Sequence, residues 1–322
     1  MSDKIIKLSV IILIYNRTNY YKEAITSIET QNYTDFNEVE VVIVSNIKLD
    51  DDFSEYKFKI KLLYSKDTRL SGKIIEGINN SSGDIILLLE DDDIFNKYKL
   101  MYVKRAFDEN SKLNFYHNEY IRFHNNLREY NIDKYEEYNT VIINRSEFIN
   151  SPKTFNHIEP MMSYNLSCMA FRKIFIKKYA DILLNFNYSF IDSVMFYISI
   201  HYSDSIAINY NTLTYMRLHS ENASGIILSL DELDVYKAFE RFKFQNKNER
   251  INAHIDRFVS MIQIDNYIKL KGKRIRATKL FFKYLNTCIK CRTMPASGIV
   301  IKFLLFTLSY KILKRALEVY HT

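Results

Sequence analysis

The sequence predicts an α/β fold in which a mostly parallel sheet is flanked by helices, followed by a helical, basic C-terminal extension. Three observations predict it. The near-continuous apolar runs Leu8–Tyr15, Val39–Val44 and Ile85–Leu89 read as strands covered on both faces, the usual state of strands in a parallel sheet. Helix-period stripes separate these runs, as the crossovers of a doubly wound sheet require. The third run ends in four consecutive carboxylates, Glu90, Asp91, Asp92 and Asp93, at the strand end where open α/β sheets bind ligands.

The elements follow in order. After the first strand, Asn16-Arg17-Thr18 turns the chain into a helix whose Tyr21, Ala24, Ile25 and Ile28 recur on one face, with Thr18 as its N-cap. Val39–Val44 completes a βαβ unit and ends at Ser45-Asn46. A weaker strand over Ile60–Tyr64 precedes a short helix opened by Ser71-Gly72-Lys73, and Ser81-Ser82-Gly83 leads into the acid-ended strand. Residues 97–108 read as helix and Asn114–Phe123 as an alternating strand. The stretch Asn125–Pro160, polar and tyrosine-rich, reads as long loops around a site. Beyond it we expect a strand at Leu166–Phe171, helices at Lys173–Leu184 and Asp192–His201, and a strand at Ile206–Leu218. Helical periodicity then dominates at Asp231–Phe244, Ile251–Leu270, Ala277–Cys288 and Val300–Leu317. The expected division is residues 1–228, a sheet domain, and residues 229–322, a helical region.

Composition narrows the classes. Apolar residues at 47% and charged residues at 26% of 322 are those of a globular chain. The net charge of +7 is uneven: from residue 266 onward 13 Lys and Arg face a single acid, Glu318, leaving the body net negative. A nucleic-acid binder would instead spread basic residues among aromatic platforms over the body. Nucleotidyl transfer would call for a Gly-rich phosphate loop, and the chain holds only 6 glycines. Cys168, Cys288 and Cys291 are too few for a disulfide framework, and the lone CxxC reads as two incidental helix thiols. Met1–Lys4 runs directly into strand-like sequence and the longest apolar stretch falls short of the ~20 residues a bilayer span needs, so we expect a cytoplasmic protein with no transmembrane helix.

Taken as an ordered set, Tyr15-Asn16-Arg17, Ser45-Asn46, Gly72-Lys73, Glu90-Asp91-Asp92-Asp93, Ile191-Asp192 and Arg217-Leu218-His219-Ser220 resemble the motifs of the glycosyltransferase family 2 proteins, which have the Rossmann-like GT-A fold. The resemblance covers about residues 5–225. It implies transfer of a sugar from a nucleotide-diphosphate donor to a hydroxyl of a glycan or lipid-linked acceptor, with inversion and with Mn²⁺ or Mg²⁺ as cofactor. Asp92 matches the metal-binding acid of the DxD-type motif, with Asp93 and His219 as further ligands; within the four-acid run Glu90 shares the alternatives. Asp91 matches the acid near the donor ribose. Tyr15, Asn16 and Arg17 match the first nucleotide-contacting loop, where an arginine can reach phosphate. Asn46, Lys73 and Arg217 are the remaining donor-side candidates. Asp192 matches the base that takes the acceptor's proton.

Each residue also has a plainer reading. The acids could be a solvated turn, Asp192 a helix N-cap, His219 a structural histidine and Lys73 a solvated helix-start lysine. Two departures stand out: Leu13 where the family usually has proline, and Ser45-Asn46 where it usually has an acid against base or ribose. The second puts uridine specificity in question and keeps open a GT-A domain that binds nucleotide sugar without turnover. In the C-terminal tail, basic residues flanking Ile299–Phe306 suit an interfacial segment on an anionic membrane, each contributing ~1 kcal/mol near the surface; a helix packed on the body or on a second subunit is the alternative.

Overall fold

A computed structural model of the chain describes residues 6–33, 35–124, 137–186, 190–219, 239–243, 248–269 and 274–307. The chain forms two compact units, Met1–Asn222 and Ala223–Thr322.

The first unit carries a nine-stranded sheet. Its strands are β1 (Leu8–Ile14), β2 (Val39–Ser45), β3 (Lys59–Tyr64), β4 (Ile85–Glu90), β5 (Ile94–Phe95), β6 (Leu113–Phe123), β7 (Thr140–Asn144), β8 (Met169–Arg172) and β9 (Ser205–Arg217), in the order β3-β2-β1-β4-β8-β6-β9-β5 with β7 on β9. The helices are α1 (Tyr21–Glu29), α2 (Leu70–Asn80), α3 (Lys99–Glu109), α4 (Arg145–Asn150), α5 (Pro152–Met162), α6 (Lys173–Lys178), α7 (Ala180–Leu184) and α8 (Ile191–Tyr202). Strands β3, β2, β1 and β4 run parallel, and the pairing turns antiparallel at β4 and β8. All seven residues of β1 are buried, as its unbroken apolar run predicts.

The parallel register decides where the loops emerge. Ile14 pairs with Ser45, Ser45 with Tyr64, and Leu13 with Glu90, so the four strands end almost flush. Tyr15–Arg17, Asn46 and Asp91–Asp93 therefore leave one edge of the sheet together. At the opposite edge Gly83 donates its N–H to Ser9 Oγ at 2.8 Å, and a Cβ there would lie 2.7 Å from the Ser9 backbone nitrogen, so only glycine fits.

The structure departs from the sequence expectations in several places. Residues 140–162, expected as loop, contain β7, α4 and α5. Prolines at 152 and 160 interrupt the periodicity, yet local signals were present: Asn144 and Glu147 form a capping box, and Ser151 caps α5 with Pro152 in its first turn. Helix α1 begins at Tyr21 with Tyr20 at the N-cap and no side-chain cap, so Thr18 does not cap it. The helix expected over Lys173–Leu184 breaks at Tyr179, whose ring stacks on Tyr202 at 4.2 Å. Leu166–Cys168 is a 3₁₀ turn ahead of β8. Residues 125–136, Ser220, most of the helix expected at Asp231–Phe244 and the end of the last expected helix lie outside the described residues.

The second unit is built from helices, among them Glu249–Lys269, Arg274–Cys291 and Ser297–Thr307. Ile264, Ala277, Phe281, Tyr284, Cys288, Ile299 and Phe303 form its core, with Phe281 and Phe303 stacked at 3.9 Å. Cys288 and Cys291 are buried free thiols. Among the described residues no helix is long and apolar enough to cross a membrane.

Candidate active site

The short strand β5 builds the site. By pairing Ile94 with Tyr215 it draws the acid turn after β4 against the end of β9, so acids from one half of the sheet meet Arg217 and His219 from the other. The acids are not a solvated turn: Asp91, Asp92 and Asp93 are all buried. Burial of like charges needs compensation, and three groups supply it.

Arg17 provides the first. Its Nη2 lies 2.7 Å from Asp91 Oδ1 and 2.5 Å from Asp92 Oδ2, and its Nε donates to Asp91 Oδ2 at 3.1 Å. Burial opposes the guanidinium's charge, but the two carboxylates hold it firmly protonated. Asn16, at φ 55°, makes the turn that brings Arg17 here; its Oδ1 accepts from Asn46 Nδ2 at 2.6 Å and its N–H donates to Asn46 Oδ1 at 3.3 Å. Asn46 thus braces the first loop. Tyr15 stays 48% exposed above Lys73, whose Nζ sits 4.5 Å from the ring centroid and donates to the Ile14 carbonyl at 2.9 Å. Lys73 is buried rather than solvated, and burial lowers its ammonium to about 8 despite Asp91 and Asp67 nearby.

Arg217 provides the second. Its N–H donates to Asp93 Oδ1 at 3.1 Å, its Nε to the Asp92 carbonyl at 3.1 Å and its Nη2 to Glu23 Oε2 at 2.6 Å. Tyr20 and Phe123 sandwich its guanidinium, with centroids at 4.4 and 4.6 Å. The third is His219, whose Nε2 stands 2.8 Å from Asp92 Oδ2 and 3.2 Å from Arg17 Nη1. One ring nitrogen cannot donate to the carboxylate and accept from the guanidinium at once; the shorter contact, Nε2–H to Asp92, is the one we assign.

Asp93 has both oxygens engaged, the second by Asn165 Nδ2 at 3.2 Å. Burial, then the Asp92 charge, raises its carboxyl to about 7, and burial, then the charges of Asp93 and Asp92, pushes Glu90 well above the carboxylate range. The structure therefore brings Asp92 and His219 together and turns Asp93 toward Asn165. Among the described residues no group of three or more His, Cys, Asp or Glu side chains converges on one cation position.

Asp192 stands in the first turn of α8, behind Phe190 at the N-cap, so it is not the capping residue. Its Oδ1 accepts from the Ser193 N–H at 2.8 Å and its Oδ2 from the Asn165 N–H at 3.1 Å. Burial raises its carboxyl to about 6. Asn165 therefore links Asp192 to Asp93, from a strained backbone at φ 67°, with its own Oδ1 buried and unpartnered. The sequence reading did not single it out; an Asn just before an apolar run is a weak sign of a left-handed turn.

Residues 9–179 match the profile of Glycosyl transferase family 2, and the chain belongs to that family. A Rickettsia conorii protein described as an uncharacterized glycosyltransferase is 33% identical over 111 residues, covering 33% of this chain and 18% of the relative. Glycosyltransferase GlyA of Streptococcus pneumoniae is 31% identical over 93 residues, covering 27% of this chain and 13% of GlyA. The chain thus spans less than a fifth of the length of these relatives. Among solved structures, residues 1–349 of S. aureus TarS in complex with UDP-GlcNAc superpose with a TM-score of 0.60 at 18% identity, covering 88% of this chain and 80% of that one. The mannosyltransferase PcManGT of Pyrobaculum calidifontis, in complex with GDP-Man and Mn²⁺, gives 0.51 at 10% identity, covering 92% and 78%. The fold is GT-A.

Proposed function

We propose that the chain is a metal-dependent, inverting glycosyltransferase that moves a sugar from a nucleotide-diphosphate donor to a hydroxyl of a glycan or lipid-linked acceptor. One observation carries the reading: Arg17 lies across Asp91 and Asp92 beside His219 at the strand ends, while Asp192 waits across the acid turn on a separate helix. In this reading Tyr15 stacks on the nucleobase, Asn16 and Asn46 hold the loop, and Asp91 faces the ribose. Arg17 exchanges its carboxylates for the donor's diphosphate. Lys73 and Arg217 keep the first loop and the acid turn in place.

Asp192 takes the proton from the acceptor hydroxyl. The acceptor oxygen bonds the anomeric carbon on the face opposite the diphosphate, and the bond to the diphosphate breaks. Asp92 and His219, side by side at 2.8 Å, would hold Mn²⁺ or Mg²⁺ once His219 gives up the Nε2 proton it donates to Asp92; Asp93 would join only by releasing its present partners. When bound, the ion supplies charge that stabilises the leaving diphosphate.

The test is thermal stabilisation of the full chain by UDP-, GDP- and dTDP-sugars with and without Mn²⁺. The reading expects stabilisation by one donor that grows with Mn²⁺, and release of nucleotide when acceptors are supplied. No response to any nucleotide would remove it. Stabilisation without any turnover would favour the binding-only domain, toward which Ser45-Asn46 points.

A second surface supports peripheral attachment to an anionic membrane on the cytoplasmic side. On helix Arg274–Cys291, Phe282 and Ile289 are 64% and 74% exposed beside the exposed Lys279, Lys283 and Lys290. Pelleting with phosphatidylglycerol vesicles at low salt, lost in a Phe282→Ser/Ile289→Ser variant, is the expected result. A chain that never pellets rejects it.

A further inference from the structure

Next to Asp192 lies a group of side chains that the donor chemistry leaves unused. Tyr120 and Tyr164 face each other with ring centroids 5.7 Å apart, and the Arg122 guanidinium stands 5.8 Å from each centroid. The three groups make a nearly equilateral triangle. Both tyrosines are half-buried and Arg122 is exposed. Among the described residues no carboxylate pairs with Arg122.

The position of Tyr164 is fixed with unusual care for a half-exposed residue. Its carbonyl accepts from His117 Nε2 at 2.9 Å, and burial lowers His117 to about 3, so the imidazole is neutral and that bond persists across the working pH range. On one side the Ser163 carbonyl accepts from Ser193 Oγ at 3.0 Å; on the other the Asn165 N–H reaches Asp192 Oδ2 at 3.1 Å. Three hydrogen bonds thus tie the backbone of residues 163–165 to β6 and to the start of α8. The Asn165 N–H on Asp192 Oδ2 puts the residue next to Tyr164 against the proposed base. Core packing has no need for this arrangement, since the rings and the guanidinium open to solvent.

We propose that Tyr120, Tyr164 and Arg122 form the acceptor subsite, and that it takes a sugar bearing an anionic group. The inference rests on the transferase reading above. The apolar face of a pyranose stacks on the pinned Tyr164 ring, with Tyr120 closing the second side. Arg122 offers its fork to a phosphate or carboxylate on that sugar or its neighbour, the geometry in which guanidinium exceeds ammonium. Holding the acceptor ring on the residue that precedes Asn165 sets its hydroxyl against Asp192, because the same segment carries both contacts.

The test uses the full chain with its nucleotide side filled by UDP or GDP and Mn²⁺. Binding of glucose, glucose 6-phosphate, glucuronate and inorganic phosphate is measured by isothermal titration calorimetry. The wild type is expected to bind at least one of the two anionic sugars roughly 10-fold tighter than glucose, and the preferred member of the pair tells phosphate from carboxylate. Arg122→Gln is expected to bring that sugar down to the level of glucose, Arg122→Lys to recover only part, and Tyr164→Ala to remove binding of every sugar while Tyr164→Phe keeps it. Anionic sugars that bind no better than glucose, or as well to Arg122→Gln as to the wild type, would overturn the proposal. Inorganic phosphate binding as tightly as the sugar phosphate would also overturn it, since the ring would then contribute nothing. Failure of any nucleotide to bind, with Arg122-dependent sugar binding intact, sinks the transferase reading and leaves the anionic-sugar subsite standing.

Discussion

Arg17 Nη2 lies 2.5 Å from Asp92 Oδ2, in the space that a cation bound to Asp92 would need. A guanidinium at that distance competes in charge and space with an ion on the same oxygen, so in the proposed reading the arginine gives way as the ion enters. In that reading the donor's diphosphate is the anion that draws it away. Metal and nucleotide affinities are then coupled, and reciprocally so. We expect Mn²⁺ alone to bind weakly and UDP or GDP to tighten it roughly 10-fold, a coupling in the usual range of linked sites. In Arg17→Gln, Mn²⁺ alone should bind tighter and the coupling should shrink, as read by titration calorimetry with and without nucleotide. An unchanged metal affinity in Arg17→Gln would count against competition.

Asp192 gives a second expectation, in pH. With its carboxyl at about 6 it is protonated in acid and cannot accept the acceptor's proton. The transfer rate should therefore climb tenfold per pH unit below about 6 and level off above it. Asp192→Asn should bind donor as the wild type does and lose transfer by at least about 10²-fold, within the span attributed to general base catalysis. Substantial turnover by that variant would take the residue out of the base role.

How much of this was legible in the sequence differs between the two halves of the sheet. The parallel half was readable because strands buried on both faces leave unbroken apolar runs that end in the acids, whereas Arg17 and Asp192 stood out only through the family resemblance. The other half was not. β7 and α5 carry no clean period, β5 is two residues long, and the contact it makes between the acid turn and β9 is tertiary. Lys73 and Lys99 look like solvated lysines in a sequence, and only the structure shows them wholly buried. Asn165 has no sequence signature beyond its residue type.

Lys99 supports a third expectation. Its Nζ bonds Asn118 Oδ1, the Ser167 carbonyl at 3.0 Å and Thr214 Oγ1 at 3.3 Å, beneath the acid turn. Burial lowers it from 10.5 to about 7. Between those values the unfolded chain holds a proton that the folded chain has shed, so raising the pH favours the fold. Stability should rise between pH 7 and 9 by up to about 1.4 kcal/mol per unit, and Lys99→Met should lose that slope. Urea denaturation of both proteins at the two pH values checks it, and parallel pH dependences would refute it.

A fourth concerns Gly83. Alanine there would set its Cβ 2.7 Å from the Ser9 nitrogen and 2.8 Å from the Leu8 carbonyl carbon, both backbone atoms of β1 that cannot swing aside. Gly83→Ala should cost about 2 kcal/mol, as overpacking does, while donor binding by the folded fraction persists. A shift in the urea midpoint at unchanged slope would report it.

The run of parallel strands ends between β4 and β8, and that seam has a meaning for how the chain could vary. Tyr15, Arg17, Asn46 and the acids hang from the parallel side; Tyr120 on β6, Tyr164 in the bend after α5, Asp192 on α8, and Arg217 and His219 at the end of β9 lie beyond it. Under the proposed roles, a lineage could vary what receives the sugar by rebuilding Tyr120, Tyr164 and their neighbours beyond that boundary, as long as Arg217 and His219 keep their hold on the acid turn.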